Sequence, residues 1–177
     1  AKMVKRWNAF TFELKDSMIW NAGGSNKINW NLDYDSKTNA LLISDGHFEF
    51  YLINLNDFTA INRRTGAAGL MVGLEIINNG QNVIGIANKG EIYKWDVIKE
   101  GKAKRIASIK SNALAFSCFE EHIFVITCDN VFELKAASIS KYDLSGKLIS
   151  KNKISDFNSL TLGFGALNSF VVDYKPS

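Results

Sequence analysis

Histidine and cysteine are the residues of this sequence best suited to metal binding or nucleophilic catalysis, and there are few of them. The histidines His47 and His122 fall at predicted turns of different repeats, with no Cys-x-x-Cys or His-x-x-x-His spacing nearby. Zinc sites depend on such clustered ligands. Cys118 and Cys128 flank a predicted hairpin turn, in a register that places Cys128 opposite Ala113, so no disulfide is expected. The sequence predicts no metal, no cofactor and two free thiols.

Paired carboxylates can supply a general acid and a general base where their surroundings separate their pKa values. Asp33 and Asp35 alternate along one predicted strand, and Glu120 and Glu121 share a predicted turn. Neither pair has an apolar setting, so we interpret both as solvated charges. The sequence also contains no Gly-x-Ser-x-Gly nucleophile elbow and no phosphate loop with its lysine. It therefore assigns no catalytic residue and favours a non-catalytic role.

A six-residue motif recurs four times along the chain and predicts the strands and turns on which these residues lie. Four six-residue segments begin at residues 4, 50, 92 and 139, and each reads apolar, any, any, large apolar or aromatic, Asn or Asp, small or branched apolar. The spacings of 46, 42 and 47 residues lie near the roughly 40–45 residues of a four-stranded propeller blade. The large side chain would fill the wedge between blades, and the following Asn or Asp would bind backbone groups of the next turn.

Other strand patterns recur in phase with this motif and predict four strands, a to d, in each repeat. Residues 1–27 hold strands c and d, residues 28–66, 67–110 and 111–155 hold complete blades, and residues 156–177 hold strands a and b. The predicted fold class is all-β, a β-propeller of four-stranded antiparallel blades. Two arrangements stay open. The terminal strands complete a fourth blade and close a four-bladed ring, or the chain is part of a larger propeller, of about six to eight blades, whose remaining blades come from a missing segment or another chain.

The dipeptide Trp95-Asp96, at the end of a third strand, resembles the signature of WD-repeat propellers, and Tyr142-Asp143 and Trp7-Asn8 resemble variants of it. The resemblance extends over nearly the whole chain. In that family a Gly-His pair precedes the first strand of each repeat, whereas Gly46-His47 lies between a second and a third strand. The resemblance implies a divergent WD-like or quinoprotein-like propeller of open subfamily, and because of the different place of Gly46-His47 it does not imply the His–Asp network of the WD-repeat family.

The adjacent residues Arg63 and Arg64 lie between a predicted outer strand and the next inner strand. They resemble the Arg-Arg-Gly signature of phosphoinositide-binding propellers, although Thr65 stands where that family has Gly. Forked guanidinium donors bind phosphate groups well. The resemblance implies an anion or lipid-phosphate site at Arg63 and Arg64, and peripheral membrane binding, as an alternative to a solvated connecting loop.

Loops between blades and loops between second and third strands gather on one face of a propeller, which we call the upper face. Loops carry function more often than the elements they connect, and a few aromatic or arginine anchors dominate protein interfaces. We therefore expect a non-catalytic protein–protein interaction scaffold, with a propeller enzyme that has a central-channel site as a second alternative. The predicted contact residues are Arg63, Arg64, Phe132, Val131, His47 and Lys89.

Charge and composition narrow the choice of partners and compartment. The 21 Lys plus Arg and 18 Asp plus Glu residues give a formal net charge of +3 without a charged block, which does not favour nucleic acid. The apolar runs are strand-sized and shorter than the roughly 18 residues of a spanning helix, so no integral membrane segment is expected. Free cysteines and the lack of an Asn-x-Ser/Thr sequon favour an intracellular location, cytoplasmic or nuclear.

Overall fold

The computed structural model describes residues 2–20, 31–44, 49–64, 66, 69–99, 102–129 and 137–154. The regular elements within these ranges are all β-strands. They are β1 (Lys2–Trp7), β2 (Leu14–Trp20), β3 (Asn31–Asp35), β4 (Ala40–Ser44), β5 (Glu49–Asn54), β6 (Thr59–Arg64), β7 (Met71–Ile77), β8 (Asn82–Ala87), β9 (Glu91–Asp96), β10 (Lys104–Ser108), β11 (Asn112–Phe119), β12 (His122–Cys128), β13 (Ser138–Asp143) and β14 (Leu148–Lys153).

The strands form three four-stranded sheets and one hairpin, and within each of them the strands that follow one another in sequence pair antiparallel. Strands β1 and β2 form the first hairpin. Strands β3–β6 form the first sheet, β7–β10 the second and β11–β14 the third. The prediction of four-stranded antiparallel blades is confirmed. The strands predicted in residues 156–177 lie outside the described residues.

Contacts between sheets run through their inner strands. Strand β7 contacts β3 on one side and β11 on the other, with additional contacts from β4 to β7 and from β8 to β11. Among the described strands, the outer strand β10 reaches the third sheet through the side chain of Ile106, which packs in the cluster that holds Tyr142. The sheets therefore radiate from an inner row of first strands, which is the arrangement of propeller blades.

Each sheet has two sides, because alternate side chains of a strand point in opposite directions. We call the side toward the preceding unit of the chain the backward side and the other the forward side. On the backward side of the second sheet, Trp95 packs with Leu42 and Phe50 of the first sheet. On its forward side, Ile92 packs with Tyr142 of the third sheet. The core thus lies between the sheets.

A β-bulge in β11 corrects one predicted register. Cys118 lies opposite Ile123, but the register shifts between Ala113 and Ala115, so that Cys128 lies opposite Asn112 and not Ala113. The uniform alternation assumed from the sequence cannot reveal such an extra residue. Both cysteines are free thiols, as expected.

Candidate interaction surfaces

The predicted contact residues are only partly within the described chain. Lys89 is exposed in the turn between β8 and β9. Arg63 and Arg64 are the last residues of β6, where they pair with Phe50 and Glu49. The prediction that they lie in a connecting loop is therefore wrong, because β6 stays paired with β5 as far as Arg64. Their side chains are not among the described atoms. His47, Val131 and Phe132 also lie outside the described residues and stay predictions.

Backbone hydrogen bonds fix the turn that carries Lys89. The amide of Gly90 donates to the carbonyl oxygen of Ala87 at 2.8 Å, and the amide of Ile109 donates to the carbonyl oxygen of Gly90 at 2.8 Å. Gly90 has a φ of 87°, a left-handed conformation that favours glycine. A Cβ at this position would also overlap the carbonyl oxygens of Ile109 and Ser111. Lys89 is therefore presented by a defined turn of the upper face.

The opposite end of the blades, the lower face, carries the turns between first and second strands and between third and fourth strands. The motif Asn or Asp shapes each third-to-fourth turn by accepting hydrogen bonds from backbone amides two to four residues further on. This predicted role is confirmed in all four units: Asn8 accepts from Phe10 and Thr11, Asn54 from Asn56, Asp96 from Ile98 and Lys99, and Asp143 from Ser145 and Lys147.

Hydrogen bonds also set the ionisation of the last of these carboxylates. The Ser145 hydroxyl donates to Oδ1 of Asp143 at 2.6 Å, and the Lys147 amide donates to the same oxygen at 2.9 Å. These donors hold the pKa of Asp143 below its ordinary value. The carboxylate therefore stays charged at neutral pH and keeps its turn closed.

Large apolar side chains are exposed on the lower face in every unit. Phe10 is 93% exposed in the turn of the first hairpin, Ile98 is 73% exposed in the second sheet and Phe119 is 66% exposed at the end of β11. Tyr34, near the end of β3, is also exposed. Because first and third strands run toward the same end of a sheet, these side chains lie on one face of the propeller. This surface was not predicted from the sequence, because the predicted contact residues all belong to loops of the upper face.

A half-buried carboxylate and a buried one connect the inner strands. Asp33 in β3 accepts a hydrogen bond from the amide of Ile76 in β7 at 2.7 Å. Glu75 in β7 accepts one from the amide of Cys118 in β11 at 2.6 Å. The acceptors are 42 residues apart, and so are the donors, so one contact is repeated from blade to blade. The interpretation of Asp33 as a solvated charge is therefore wrong, because its carboxylate bonds the next blade.

Glu75 is the most perturbed acidic residue of the described chain. It is 6% exposed. Burial raises its pKa to about 8, aided by repulsion from Asp33 and opposed by the hydrogen bond from Cys118. Sequence analysis missed Glu75, although a single charge inside the apolar run of β7, 42 residues after Asp33, was a usable signal.

Neither cysteine is set up as a nucleophile. Burial raises the pKa of the Cys118 thiol far above its ordinary value, and the charge of Glu75 raises it further. Burial likewise raises the pKa of Cys128, with a contribution from Asp129. Within the described ranges no group of three or more His, Cys, Asp or Glu residues is placed to hold a metal ion. None of the described elements is a helix of the length and apolar character that crossing a membrane requires.

Comparison with known proteins identifies the fold. No family model matches the chain, and no curated protein matches it. Among solved structures it is similar to the β-propeller domain of Cps50 (Swd1) from Myceliophteria thermophila, with a TM-score of 0.67 at 16% identity over 86% of this chain and 49% of that one.

Two further solved structures have the same fold. Hydrazine synthase from Kuenenia stuttgartiensis matches with a TM-score of 0.61 at 12% identity, over 86% of this chain and 43% of that one. A chain of a mitotic checkpoint complex matches with a TM-score of 0.54 at 13% identity, over 68% of this chain and 37% of that one.

The chain has a β-propeller fold built of four-stranded antiparallel blades, as predicted. The chain spans about half or less of the length of each of these three structures. One of them is a synthase and another belongs to a multiprotein complex, so the fold does not select a function, which must be argued from surfaces and sites.

Proposed function

We propose that this protein is a non-catalytic protein–protein interaction scaffold that binds its partners through the loop faces of the propeller. The observation that carries the proposal is the exposed apolar set on the lower face. Ile98, Phe119 and Tyr34 come from three different sheets, are exposed and lie at the same end of the blades. Protein interfaces obtain most of their energy from a few such large side chains.

The turns beneath these side chains support the proposal. Ile98 and Lys99 both donate their amides to the Asp96 carboxylate at 3.0 Å, so the turn that presents Ile98 has a defined backbone. Phe119 lies opposite His122 at the end of the β11–β12 ladder. Ordering a loop on binding costs free energy, and loops that are already ordered avoid most of that cost. Exposed apolar side chains on turns with a defined backbone suit the binding of another protein.

The upper face is the second part of the proposed surface. Lys89 projects there from a closed turn, and Arg63 and Arg64 end the outer strand of the first sheet. His47, Val131 and Phe132 complete the proposed contact set on this face. Two faces let one propeller hold two partners at the same time, which is the property that a scaffold requires.

We also propose an intracellular location. Cys118 and Cys128 are free thiols, and disulfides are rare in reducing compartments. Fluorescence microscopy of the tagged protein tests this directly, and a secreted protein in the culture medium would contradict it.

The scaffold proposal is tested by comparing the partners retained by variants of the two faces. Ile98→Asp combined with Phe119→Asp should remove at least one specifically bound protein, because a charge in the centre of an apolar interface opposes its desolvation. Ile61→Asp is the matched control, since Ile61 is exposed on the outer strand β6 and not on a loop face. Quantitative affinity capture followed by mass spectrometry gives the readout.

A second variant separates the two faces. Lys89→Glu reverses a charge on the upper face and leaves the lower face intact. If this variant alone loses partners, the upper face carries the binding. If neither face variant differs from the Ile61→Asp control, the proposed function is contradicted.

A further inference from the structure

The positive charge of the chain is concentrated in the outer halves of the second and third sheets. Residues 91–108 and 138–153 form the third and fourth strands of these two sheets, and they contain nine Lys or Arg and four Asp or Glu. From the totals of 21 and 18, the rest of the chain has 12 Lys or Arg and 14 Asp or Glu. The small net charge of the whole chain is therefore the sum of a basic region and an acidic remainder.

Six exposed cations lie on the outer strands β10 and β14 or in the turns that lead into them: Lys102, Lys104, Arg105, Lys147, Lys151 and Lys153. We call these six residues the basic rim. Neither outer strand contains a carboxylate. Between described side chains, the one ion pair joins Arg6 to Asp16 in the first hairpin. The described part of the chain thus offers the basic rim no carboxylate partner.

A further lysine increases the charge of the rim from the neighbouring strand. Lys94 of β9 is half-buried and is paired directly with Lys104 of β10. Directly opposite residues of two antiparallel strands have Cβ atoms about 4.5–5.5 Å apart, and like charges placed there repel each other. A bound anion would remove this repulsion, because it attracts both ammonium groups.

Protection of the sheet edge explains only part of this pattern. Exposed lysines on an edge strand prevent its pairing with another chain, which accounts for cations on β10 and β14. Strand β9 is not an edge, because it pairs with both β8 and β10. Strand β2 of the first hairpin carries Lys15 beside Asp16, so a charged strand of this chain does not need an excess of one sign. The excess of cations on the second and third sheets therefore points to an anionic partner.

The position of these cations indicates what shape that partner has. The outer strands of propeller blades lie on the convex circumference of the ring. Strand β6 of the first sheet also ends with two cations, Arg63 and Arg64, so three successive outer strands carry them. A flat membrane touches a convex surface at one blade at a time, whereas a flexible polyanion reaches several blades. Single-stranded nucleic acid is such a polymer, while duplex DNA is stiff over about 150 bp.

We propose that the basic rim binds the phosphate backbone of a single-stranded nucleic acid. Ammonium and guanidinium groups neutralise phosphates and release the counterions around them, which supplies the binding free energy. Strands β10 and β14 contain no aromatic residue on which a base could stack, so the binding depends on the phosphates and not on the base sequence. This inference does not rest on the proposed function.

The first test is the binding of a fluorescent oligothymidylate of about 16 nucleotides, measured by anisotropy with protein up to about 100 μM. About four phosphate contacts give a slope of about −3 for the logarithm of the association constant against the logarithm of the salt concentration. Binding should therefore weaken about 50-fold between about 50 and 200 mM salt. A lack of binding at about 50 mM salt, or binding that does not depend on salt, would overturn the proposal.

Charge reversal locates the binding surface. Lys104→Glu combined with Lys151→Glu should weaken oligothymidylate binding at least about tenfold, because two phosphate contacts become repulsive. Lys15→Glu combined with Lys37→Glu is the matched control, since both lysines are exposed, lie outside the basic rim and give the same change of net charge. The control should bind nearly as the parent chain does. An equal loss in both variants would show that net charge alone governs the binding, which contradicts a site at the rim. Matching urea midpoints show that both variants are folded.

Vesicles of phosphatidylcholine and phosphatidylserine separate a membrane from a nucleic acid as the anionic partner. Flotation with these vesicles and oligothymidylate binding are measured at the same salt concentration, with the parent chain and the Lys104→Glu, Lys151→Glu variant. The rim variant should lose oligothymidylate binding, and the parent chain should not float with the vesicles. If the parent chain binds vesicles through these two lysines and does not bind oligothymidylate, the rim is a membrane surface and the proposal is wrong.

Discussion

Trp7 in the first hairpin and Trp95 in the second sheet occupy the same position of the repeat, yet only one of them is buried. Trp95 is 2% exposed and packs edge-on against Phe50, with ring centroids 5.5 Å apart. Trp7 is 53% exposed, and the Lys5 ammonium lies 5.9 Å from its ring centroid. The turns that follow them are alike, because Asn8 and Asp96 each accept hydrogen bonds from the amides two and three residues further on. A motif therefore specifies a side chain for packing, and the neighbouring blade decides whether the packing occurs.

The largest expected difference between the two regions is the cost of removing the indole. Trp95→Ala should lower the free energy of unfolding by about 3–5 kcal/mol, the usual cost of truncating a fully buried aromatic residue. Trp7→Ala should cost less than about 1 kcal/mol, since its site is open to water. Urea denaturation of both variants, under conditions where the chain is monomeric, measures the difference. Equal losses would mean that Trp7 is buried in solution.

A second contrast is the pH dependence produced by Glu75 in the second sheet. Its pKa is raised to about 8 in the folded chain from an ordinary value of 4.5, so the folded state binds the proton more tightly than the unfolded state. This stabilisation is present below about pH 4.5 and is lost as the pH rises through about 8. The groups that face Glu75 are Asp33 of β3 and Ser117 and Cys118 of β11.

Glu75→Gln should therefore remove a fall in stability between about pH 4.5 and pH 8, and the variant should be more stable than the parent chain at about pH 9 by about 2 kcal/mol or more. Thermal or urea denaturation across this pH range gives the measurement. Glu13→Gln in the exposed turn of the first hairpin is the matched control and should leave the slope unchanged. A parent chain with no pH-dependent loss of stability in this range would contradict the burial of an ionisable Glu75.

The smallest expected difference is between the motif turns. Asn8 and Asp96 each accept two backbone hydrogen bonds at the start of their turns. Asn8→Ala and Asp96→Ala should each cost about 1 kcal/mol, because both lose the same kind of solvent-exposed turn contact. Similar values, compared with the large gap between the two tryptophans, would confirm that the turn is a local property. If Asp96→Ala lowers the free energy of unfolding several times more than Asn8→Ala does, then packing of the blade also stabilises the turn.

The fold was predictable because two features of the sequence show the repeat: the regular spacing of the motif and the residue types that recur at its positions. The motif placed Trp95, Tyr142 and Ile53 correctly at buried positions, and it placed Asn or Asp correctly at the turns. Strand order followed from the antiparallel neighbours. The bulge that moved Cys128 opposite Asn112 was not predictable, because one extra residue leaves the apolar pattern almost unchanged.

The candidate surfaces were less predictable than the fold. Sequence reasoning chose the upper face from residue types in loops, and of that set Lys89 is the one whose exposure the structure describes. The exposed apolar residues of the lower face, such as Ile98 and Phe119, resemble core residues in sequence. Whether a side chain is exposed depends on what packs beside it in space. The local sequence does not distinguish an exposed apolar residue at a strand end from a buried one.

By itself the sequence determined the period of the repeat, the four-stranded antiparallel unit and the hydrogen-bonded turn after each motif, because these depend on residues within about 45 positions of one another. Tertiary structure decided which motif side chains are buried and which carboxylates become bonds between blades. Trp7 and Trp95 differ, and Glu75 is perturbed, through neighbours some 40 residues away or through their absence. Burial is a property of two packed surfaces, and a single stretch of sequence describes only one of them.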